Sequence, residues 1–381
     1  MGEALLELTE LAERIHAFIQ TFVADGSDQS TASASEAEFN RLARALFALQ
    51  SRSNPAVRAW LDASGIASRQ PAHWQDIPAL PVAAFKELEV TSLPAGLRTN
   101  TFHSSGTTGQ RPSRHFHCPE SLHLYEASLL PWFRRHVPGV FAAAPFASVP
   151  RQVYLTPSPV RAPHSSLVYM FGTIAANSPQ AIPVFTGRIA ADGLWELDFP
   201  AIHSALASAI RDRAPVLLCG TAFLFVHLLD ALGESGEDLS LPAGSSVLET
   251  GGYKGRSRML PKDELHAGIT QALGIPAVRI VCEYGMSELS SQAYDTVLPA
   301  AARSPRHFQF PPWARSVIVS PETGREVGDG ETGLIRIYDL ANVWSAMAVQ
   351  TEDLAVRRGD RFELLGRAAF AEPRGCSLIT A

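Results

Sequence analysis

Four short β-branched and aliphatic runs, at 152–155, 216–219, 246–248 and 279–282, alternate with stretches long enough to hold a helix. Parallel neighbours in a sheet cannot be joined by a tight turn and need a crossover of a dozen or more residues. Strand, helix, strand repetition therefore predicts an α/β protein built on a doubly wound parallel sheet. The texture changes beyond about residue 312, where helical periodicity stops and short strands at 316–319, 334–338 and 362–365 are separated by turns. This last part is expected to form an antiparallel or barrel-like subdomain.

The N-terminal hundred residues read as helical. Leu5, Leu8, Leu11, Ile15, Phe18, Ile19 and Phe22 recur at helical spacing, and Phe39, Leu42, Leu46 and Leu49 mark one face of a second helix. Between them 26–34 is Ser-rich and reads as a loop, while Pro78, Pro81 and Pro94 punctuate an extended segment. The expected organisation is a helical lead-in over 1–100, an α/β core over 101–311, a β-rich subdomain over 312–367 and a short tail over 368–381. No internal repeat is visible.

Composition narrows the function classes. With 46% hydrophobic residues in 381, the chain can bury a substantial core. A formal charge of -6 without a basic block argues against nucleic-acid or membrane-surface partners. No apolar run reaches the length of about 18 residues that a membrane span needs, and the N-terminus is acidic and amphipathic, so no membrane insertion and a cytoplasmic location are expected. Position 6 is Leu6 where N-myristoylation of Gly2 would want Ser or Thr. Cys118, Cys219, Cys282 and Cys376 are far apart and form no Cys-x-x-Cys pair, so neither a disulfide framework nor a zinc motif is signalled.

Three motifs carry the chemistry. Ser104-Ser105-Gly106-Thr107-Thr108-Gly109 combines glycines with hydroxyl residues and no bulky side chain. Glycines let successive N–H groups turn toward one point, and hydroxyls add hydrogen bonds to phosphate oxygens. No Gly-Lys-Ser/Thr follows, so this is not a Walker loop, and taken alone such a string also fits a surface turn. The second motif, Glu283-Tyr284-Gly285-Met286-Ser287-Glu288, begins where an apolar strand ends, the edge at which parallel sheets bind ligands. Glu288 can hold Mg²⁺ against phosphate and Tyr284 can stack on a base; alternatively Ser287 and Glu288 open a helix. In the third, Thr351-Glu352-Asp353-Leu354 precedes a strand pair closing at Gly366-Arg367. Asp353 can accept from the vicinal hydroxyls of a ribose and Arg367 can donate to ribose or phosphate oxygens, although a hairpin with solvated charges fits the same residues.

In order and spacing these motifs resemble the adenylate-forming superfamily of acyl-CoA synthetases, peptide-synthetase adenylation domains and luciferases. Within it, the chain from Pro78-Ala79-Leu80-Pro81 and Phe85-Lys86 to Arg374-Gly375-Cys376-Ser377-Leu378 is most similar to the acyl-protein synthetase (LuxE) family of bacterial bioluminescence. The resemblance implies a large adenylating domain, ATP and Mg²⁺ as cofactors, and a carboxylic acid substrate, a long-chain fatty acid. It implies that Ser104 to Gly109 hold the ATP phosphates, that Gly251-Gly252 and Tyr284-Gly285 border adenine, and that Ser287 touches the α-phosphate. Glu288 would bind Mg²⁺, and Asp353 with Arg367 would hold the ribose. The implied partner is an acyl reductase subunit.

Departures from the superfamily pattern are informative. The phosphate loop continues as Gln110-Arg111-Pro112-Ser113-Arg114 where Pro-Lys is usual, so the basic contact falls to Arg111 or Arg114 or is missing, and Glu352 stands where Gly is usual. The expectation is that the second domain of larger relatives is reduced here to a short tail. The lysine it supplies to adenylation would then be replaced, and Lys254 is the expected substitute because it follows the glycines of the adenine loop.

Cys376 is the expected acyl acceptor, because an acyl-adenylate is a mixed anhydride open to thiolate attack. The chain from Arg367 to Cys376 spans at most about 30 Å, enough for the thiol to reach the adenylate, and Arg374 favours its thiolate. Other signals are weaker. His115, His117 and Cys118 suggest a metal or a strand passing the phosphate loop, and 223–229 reads as a helix of core packing or of acyl-pocket lining. No Gly-x-Ser-x-Gly elbow is present. The expected function is ATP-dependent activation of a carboxylic acid and transfer of the acyl group to Cys376. The alternatives are a stand-alone acid-CoA ligase of the phenylacetate type, a natural-product adenylating enzyme, and a nucleotide-binding scaffold subunit.

Overall fold

The computed structural model describes residues 2–25, 32–66, 70–104, 111–137, 149–236, 239–251, 260–296 and 306–368. The chain divides into two compact units. One is built from the chain up to Pro131, Met286–Gln292 and the chain from His307; the other comprises Trp132–Gly285 and Ala293–Arg306.

The second unit holds the parallel sheet. Arg151–Tyr154, Ile182–Phe185, Val216–Thr221, Ser246–Thr250 and Ile280–Tyr284 pair in parallel, and Ala293–Thr296 adds an antiparallel strand beside Ile280–Tyr284. The chain first steps outward from Arg151–Tyr154 to Ile182–Phe185 by way of the helix Ser166–Ala176, then returns to lay Val216–Thr221 on the other side of its first strand. From there it steps the opposite way, through Ala222–Ser235 to Ser246–Thr250 and through Lys262–Leu273 to Ile280–Tyr284. With right-handed crossovers this reversal places helices on opposite faces, which is the doubly wound arrangement expected from the sequence.

Burial explains why these elements hold. Val153, Leu218, Val247 and Ile280 of the strands form one core with Ile202, Leu206, Phe225, Leu228, Leu265 and Ile269 of the helices, all within 2% exposure. Each such side chain contributes roughly 1.5–3 kcal/mol relative to leaving it in water. Three strands run further at their carboxyl ends than the aliphatic runs suggest, taking in Thr221, Glu249, Thr250 and Glu283. Ladder hydrogen bonds come from the backbone and continue where the side chains turn polar, so the aliphatic pattern ends short of the strand.

In the first unit the two N-terminal helices are Glu3–Asp25 and Ala32–Ser53, with Leu8, Leu11, Ile15, Phe18 and Ile19 buried on one and Phe39, Leu42, Leu46 and Leu49 on the other. The second helix starts at Ala32, so the end of the stretch read as a loop is helical. Asn54 then caps Pro55–Ala63, its side-chain oxygen accepting from the amides of Ala56 and Val57 at 3.1 and 3.3 Å.

The β-rich part of this unit runs in the order Ala314–Val319, Thr332–Asp339, Ala348–Arg358, Arg361–Arg367 and His307–Gln309, antiparallel throughout, with Leu80–Pro81 parallel to Ala348–Arg358. It is an antiparallel sheet as expected, and among the described residues this row of strands does not close on itself. Gly333 is required by close approach, since a Cβ there would lie 2.4 Å from the Val319 carbonyl oxygen.

Candidate active site

In the first unit, Asn100–His103 and Arg114–His117 form an antiparallel hairpin in which His103 pairs with Arg114. Ser104 closes it: its amide donates to Ser113 O at 3.2 Å, and its hydroxyl accepts from the Ser113 amide at 2.9 Å, leaving the Ser104 hydroxyl proton for another acceptor. The hairpin thus presents both ends of the hydroxyl-glycine loop. Ser105, Gly106, Thr107, Thr108 and Gly109 lie outside the described residues. Of the two arginines beyond the loop, Arg114 donates to Glu89 at 3.2 Å, while Arg111 is exposed.

The Glu288 motif sits on a turn closed by Leu289 N donating to Met286 O at 3.1 Å, and no helix begins there. The Ser287 hydroxyl donates to His103 O at 3.2 Å, and the Ser287 carbonyl accepts from His115 Nδ1 at 2.8 Å. A carbonyl only accepts, so the His115 proton is on Nδ1. Burial holds this imidazole at a pKa of about 4, against the upward pull of its bond to Ser287, and it is neutral near pH 7.

Glu288 is 5% exposed, and burial pushes its carboxyl above the ordinary range, opposed by the nearby Ser113 hydroxyl and by the charges of Arg367 and Lys86. The Ser113 hydroxyl is buried near the Glu288 carboxyl but makes no well-aligned hydrogen bond to it or to any other group. The backbone carrying Glu288 is held from the sheet. Asp339 Oδ2 accepts from the amides of Ser290 and Ser291 at 2.9 and 2.8 Å, its Oδ1 accepts from Ser291 Oγ at 2.7 Å, and Asn342 Nδ2 donates to Glu288 O at 2.8 Å. Neither Asp339 nor Asn342 was singled out from the sequence. A lone acid after an aliphatic strand looks like any turn residue.

Asp353 and Arg367 face each other across paired strands, with Arg367 Nε 3.7 Å from Asp353 Oδ1. The ladder shifts register between Leu354 and Ala355, and such a bulge re-aims the side chains beside it. Thr351 supports the pair, donating to Ile335 O at 2.7 Å and accepting from the Asp353 amide at 3.2 Å. The Arg367 side chain is 73% exposed and so keeps most of its donors toward solvent. Ser104, Ser287, Glu288, Asp353 and Arg367 all belong to this unit; the contacts above connect Ser104's hairpin to Ser287 and Asp353 to Arg367, and Glu288 feels the Arg367 charge.

In the second unit, Tyr284 ends the strand Ile280–Tyr284 and is 7% exposed, followed by exposed Gly285. Gly251 follows the neighbouring strand with φ +68, a left-handed conformation natural to glycine, and is itself exposed. Glu283 lies in register with Thr250, whose hydroxyl donates to it. Burial raises the Glu283 carboxyl to about 7, opposed by Thr250, so a buried acid of near-neutral pKa stands beside Tyr284. Gly252, Lys254 and Cys376 lie outside the described residues.

Two weaker readings are also placed. His115 and His117 do share a face of a strand, with ring centroids 4.2 Å apart, but His115 binds the Ser287 carbonyl and His117 Nδ1 lies 3.1 Å from Ser121 Oγ. The helix at 223–229 is Ala222–Ser235, and Phe223, Leu224, Val226 and Leu228 are buried in the core of the second unit.

The profile of the family described as acyl-protein synthetase, LuxE, matches residues 189–381, just over half of the chain. No curated protein sequence matches it significantly. Among solved structures, the fold is similar to a 2-hydroxyisobutyryl-CoA ligase in the postadenylation state with R3-HIB-AMP (TM-score 0.61, 11% identity, 90% of this chain and 73% of that one). The same ligase in an open conformation with 2-HIB-AMP and CoA gives a TM-score of 0.59 at 11% identity, covering 90% and 75%. An adenylation and carrier-protein pair of McyG with phenylalanyl-adenylate gives 0.50 at 14% identity, covering 82% and 47%. At such identities the likeness is one of fold.

Proposed function

The chain belongs to the acyl-protein synthetase (LuxE) family of adenylate-forming ligases, and on that premise we propose that it activates a long-chain fatty acid with ATP and Mg²⁺ and carries the acyl group on Cys376. The observation that carries this reading is the family match itself, whose range, 189–381, takes in Tyr284, Ser287, Glu288, Asp353, Arg367 and Cys376. The acid's carboxylate oxygen attacks the α-phosphorus of ATP, giving the acyl-adenylate and releasing pyrophosphate. The Cys376 thiolate then attacks the acyl carbonyl, the C–S bond forms, and the C–O bond to AMP breaks. The thioester is delivered to a partner acyl reductase.

Each residue has a part. Ser104 to Gly109 hold the phosphates, and Ser104 still has a hydroxyl proton to donate. Gly251, Gly252, Tyr284 and Gly285 border the adenine, while Asp353 accepts from the ribose hydroxyls and Arg367 donates beside it. Ser287 adjoins the α-phosphate, and Lys254 supplies positive charge to it. Buried Glu288 beside the unpartnered Ser113 hydroxyl offers the single carboxylate that Mg²⁺ takes together with phosphate oxygens and water, so the residues fit the ion. Bound there, Mg²⁺ would neutralise phosphate charge.

The test is intact-protein and peptide mass spectrometry after incubation with ATP, Mg²⁺ and a mixture of fatty and aryl acids. A hydroxylamine-labile acyl mass on the Cys376 peptide, absent from Cys376→Ser, is the expected result and also identifies the acid. AMP formation without any protein adduct would move the acceptor role to an external thiol or amine. Absence of acid-dependent pyrophosphate exchange into ATP would overturn the reading altogether. For Lys254, a Lys254→Ala rate of adenylation within about threefold of the unmodified protein, a difference under roughly 1 kcal/mol, would remove it from the mechanism.

A further inference from the structure

Below the end of the parallel sheet in the second unit lies a polar cluster that adenylation does not use. Glu249 and Cys282 are in register on the neighbouring strands Ser246–Thr250 and Ile280–Tyr284, so their side chains project from the same face. His266, from the helix Lys262–Leu273 packed on that face through Leu265 and Ile269, completes it. Glu249 and Cys282 are fully buried and His266 is 5% exposed.

The three ligand-type atoms form a compact triangle. Cys282 Sγ lies 3.1 Å from Glu249 Oε2 and 3.6 Å from His266 Nε2, and the imidazole nitrogen is 3.5 Å from the same carboxylate oxygen. A tetrahedral Zn²⁺ with bonds of about 2.3 Å to sulfur and about 2.0–2.1 Å to nitrogen and oxygen separates its ligand atoms by about 3.3–3.6 Å. Two edges fall in that range and the third needs a few tenths of an ångström. The second oxygen of Glu249, Oε1, is buried and unpartnered. A thiolate, an imidazole and a carboxylate together suit Zn²⁺, whereas Mg²⁺ prefers oxygen ligands alone.

We propose that Glu249, His266 and Cys282 form a zinc site of three protein ligands and one water, independent of the nucleotide chemistry, which clamps two strands and a helix under Tyr284 and Gly251. The charge account closes. Without the ion, Lys262 Nζ lies 3.4 Å from Glu249 Oε2, and the thiol of Cys282 donates to the same oxygen. Zn²⁺ replaces one ammonium and one thiol proton, two unit charges for one dication, and the 40% exposed Lys262 side chain can carry its charge out to water. Arg306 remains paired with Asp295, which also accepts from the Cys282 amide at 2.6 Å. Bound there, the ion would hold the strand ends on which Gly251 and Tyr284 stand.

The experiment measures metal in the full chain by mass spectrometry after exposure to zinc alone and removal of free ion, and records the absorption of a cobalt(II)-exchanged sample. The expected result is one equivalent of zinc per chain and a sulfur-to-cobalt charge-transfer band. Both are retained in Lys262→Met and in a Cys118→Ala, Cys219→Ala, Cys376→Ala triple variant, and both are lost in Cys282→Ser and His266→Gln. Zinc below a tenth of an equivalent in folded protein, or cobalt bound without the charge-transfer band, would overturn the site and leave an ion-paired cluster. The cobalt spectrum of the unmodified chain decides the matter even if the Cys282 variant does not fold.

Discussion

His115 Nδ1 donates at 2.8 Å to the main-chain oxygen of Ser287, so the strand leaving the hydroxyl-glycine loop is tied to the turn that carries Glu288. The bond needs a proton on Nδ1, and burial, against the pull of this bond, keeps the ring otherwise neutral. Two segments far apart in sequence are thus joined by a buried imidazole that is costly to charge.

Burial of this imidazole predicts acid sensitivity. The unfolded chain takes up a proton on His115 near pH 6.5 and the folded chain only near pH 4. Above 6.5 both states are neutral and the group contributes nothing to the pH dependence. As pH falls from 6.5 toward 4 the unfolded state binds more protons, and stability drops by roughly 1.4 kcal/mol per pH unit from this histidine. His117, held neutral by burial and by its neighbour, acts in the same direction. Urea unfolding across that range should show the slope reduced by about one proton in His115→Gln; an unchanged slope would mean that the imidazole is already charged in the fold.

Asp339 is expected to be costly to remove. Its buried carboxylate accepts from the amides of Ser290, Ser291 and Ala341 and from Ser291 Oγ. Truncation leaves these donors without an acceptor, and Asp339→Ala should lose about 3 kcal/mol or more. The denaturant midpoint measures this directly, and a loss under about 0.5 kcal/mol would contradict the account.

Arg367 and Asp353 should separate stability from function. Arg367 is 73% exposed and 3.7 Å from its partner carboxylate, a surface pair worth little to the fold. Arg367→Ala is expected to leave the unfolding midpoint within about 0.5 kcal/mol while reducing kcat/KM for ATP about tenfold, roughly 1.4 kcal/mol. Asp353→Ala should act on the same parameter. Equal ATP kinetics in both variants and the unmodified protein would remove this strand pair from the nucleotide site.

Gly333 offers a test of the antiparallel sheet alone. A methyl there meets the Val319 carbonyl oxygen at 2.4 Å and Ile318 Cγ2 at 3.1 Å, so Gly333→Ala must push a ladder strand aside. A loss of about 2 kcal/mol or more is expected in thermal or chemical unfolding. A neutral substitution would show that the strands Ala314–Val319 and Thr332–Asp339 are more loosely packed than their register implies.

Much of the architecture was legible because it depends on local pattern. Helical spacing in Leu8, Leu11, Ile15 and Ile19 fixes a buried stripe, and the aliphatic runs around Val153, Leu218, Val247 and Ile280 require a sheet covered on both faces. Strand ends were less legible. Thr250 and Glu283 continue the ladder with polar side chains, and side-chain character says little about backbone pairing.

Periodicity and spacing, which are properties of the chain, were enough for the α/β class, the parallel pairing and the order of the three motifs, but not for the edge strand Ile182–Phe185 on which the reversal of the sheet depends. What holds Glu288 and what surrounds Cys282 is set by tertiary packing. Asp339 reaches Ser290 across 49 positions, and Cys282 meets Glu249 across 33. Such partners become neighbours when the sheet forms. In the low-dielectric interior each buried polar group must then find a partner or stand at a marked cost. That requirement selects Asp339, Asn342 and His115 around the candidate active site and gathers Glu249, His266 and Cys282 under the sheet's carboxyl end. Apart from His115, marked by its place beside His117 and Cys118, no local pattern in the chain announces these residues.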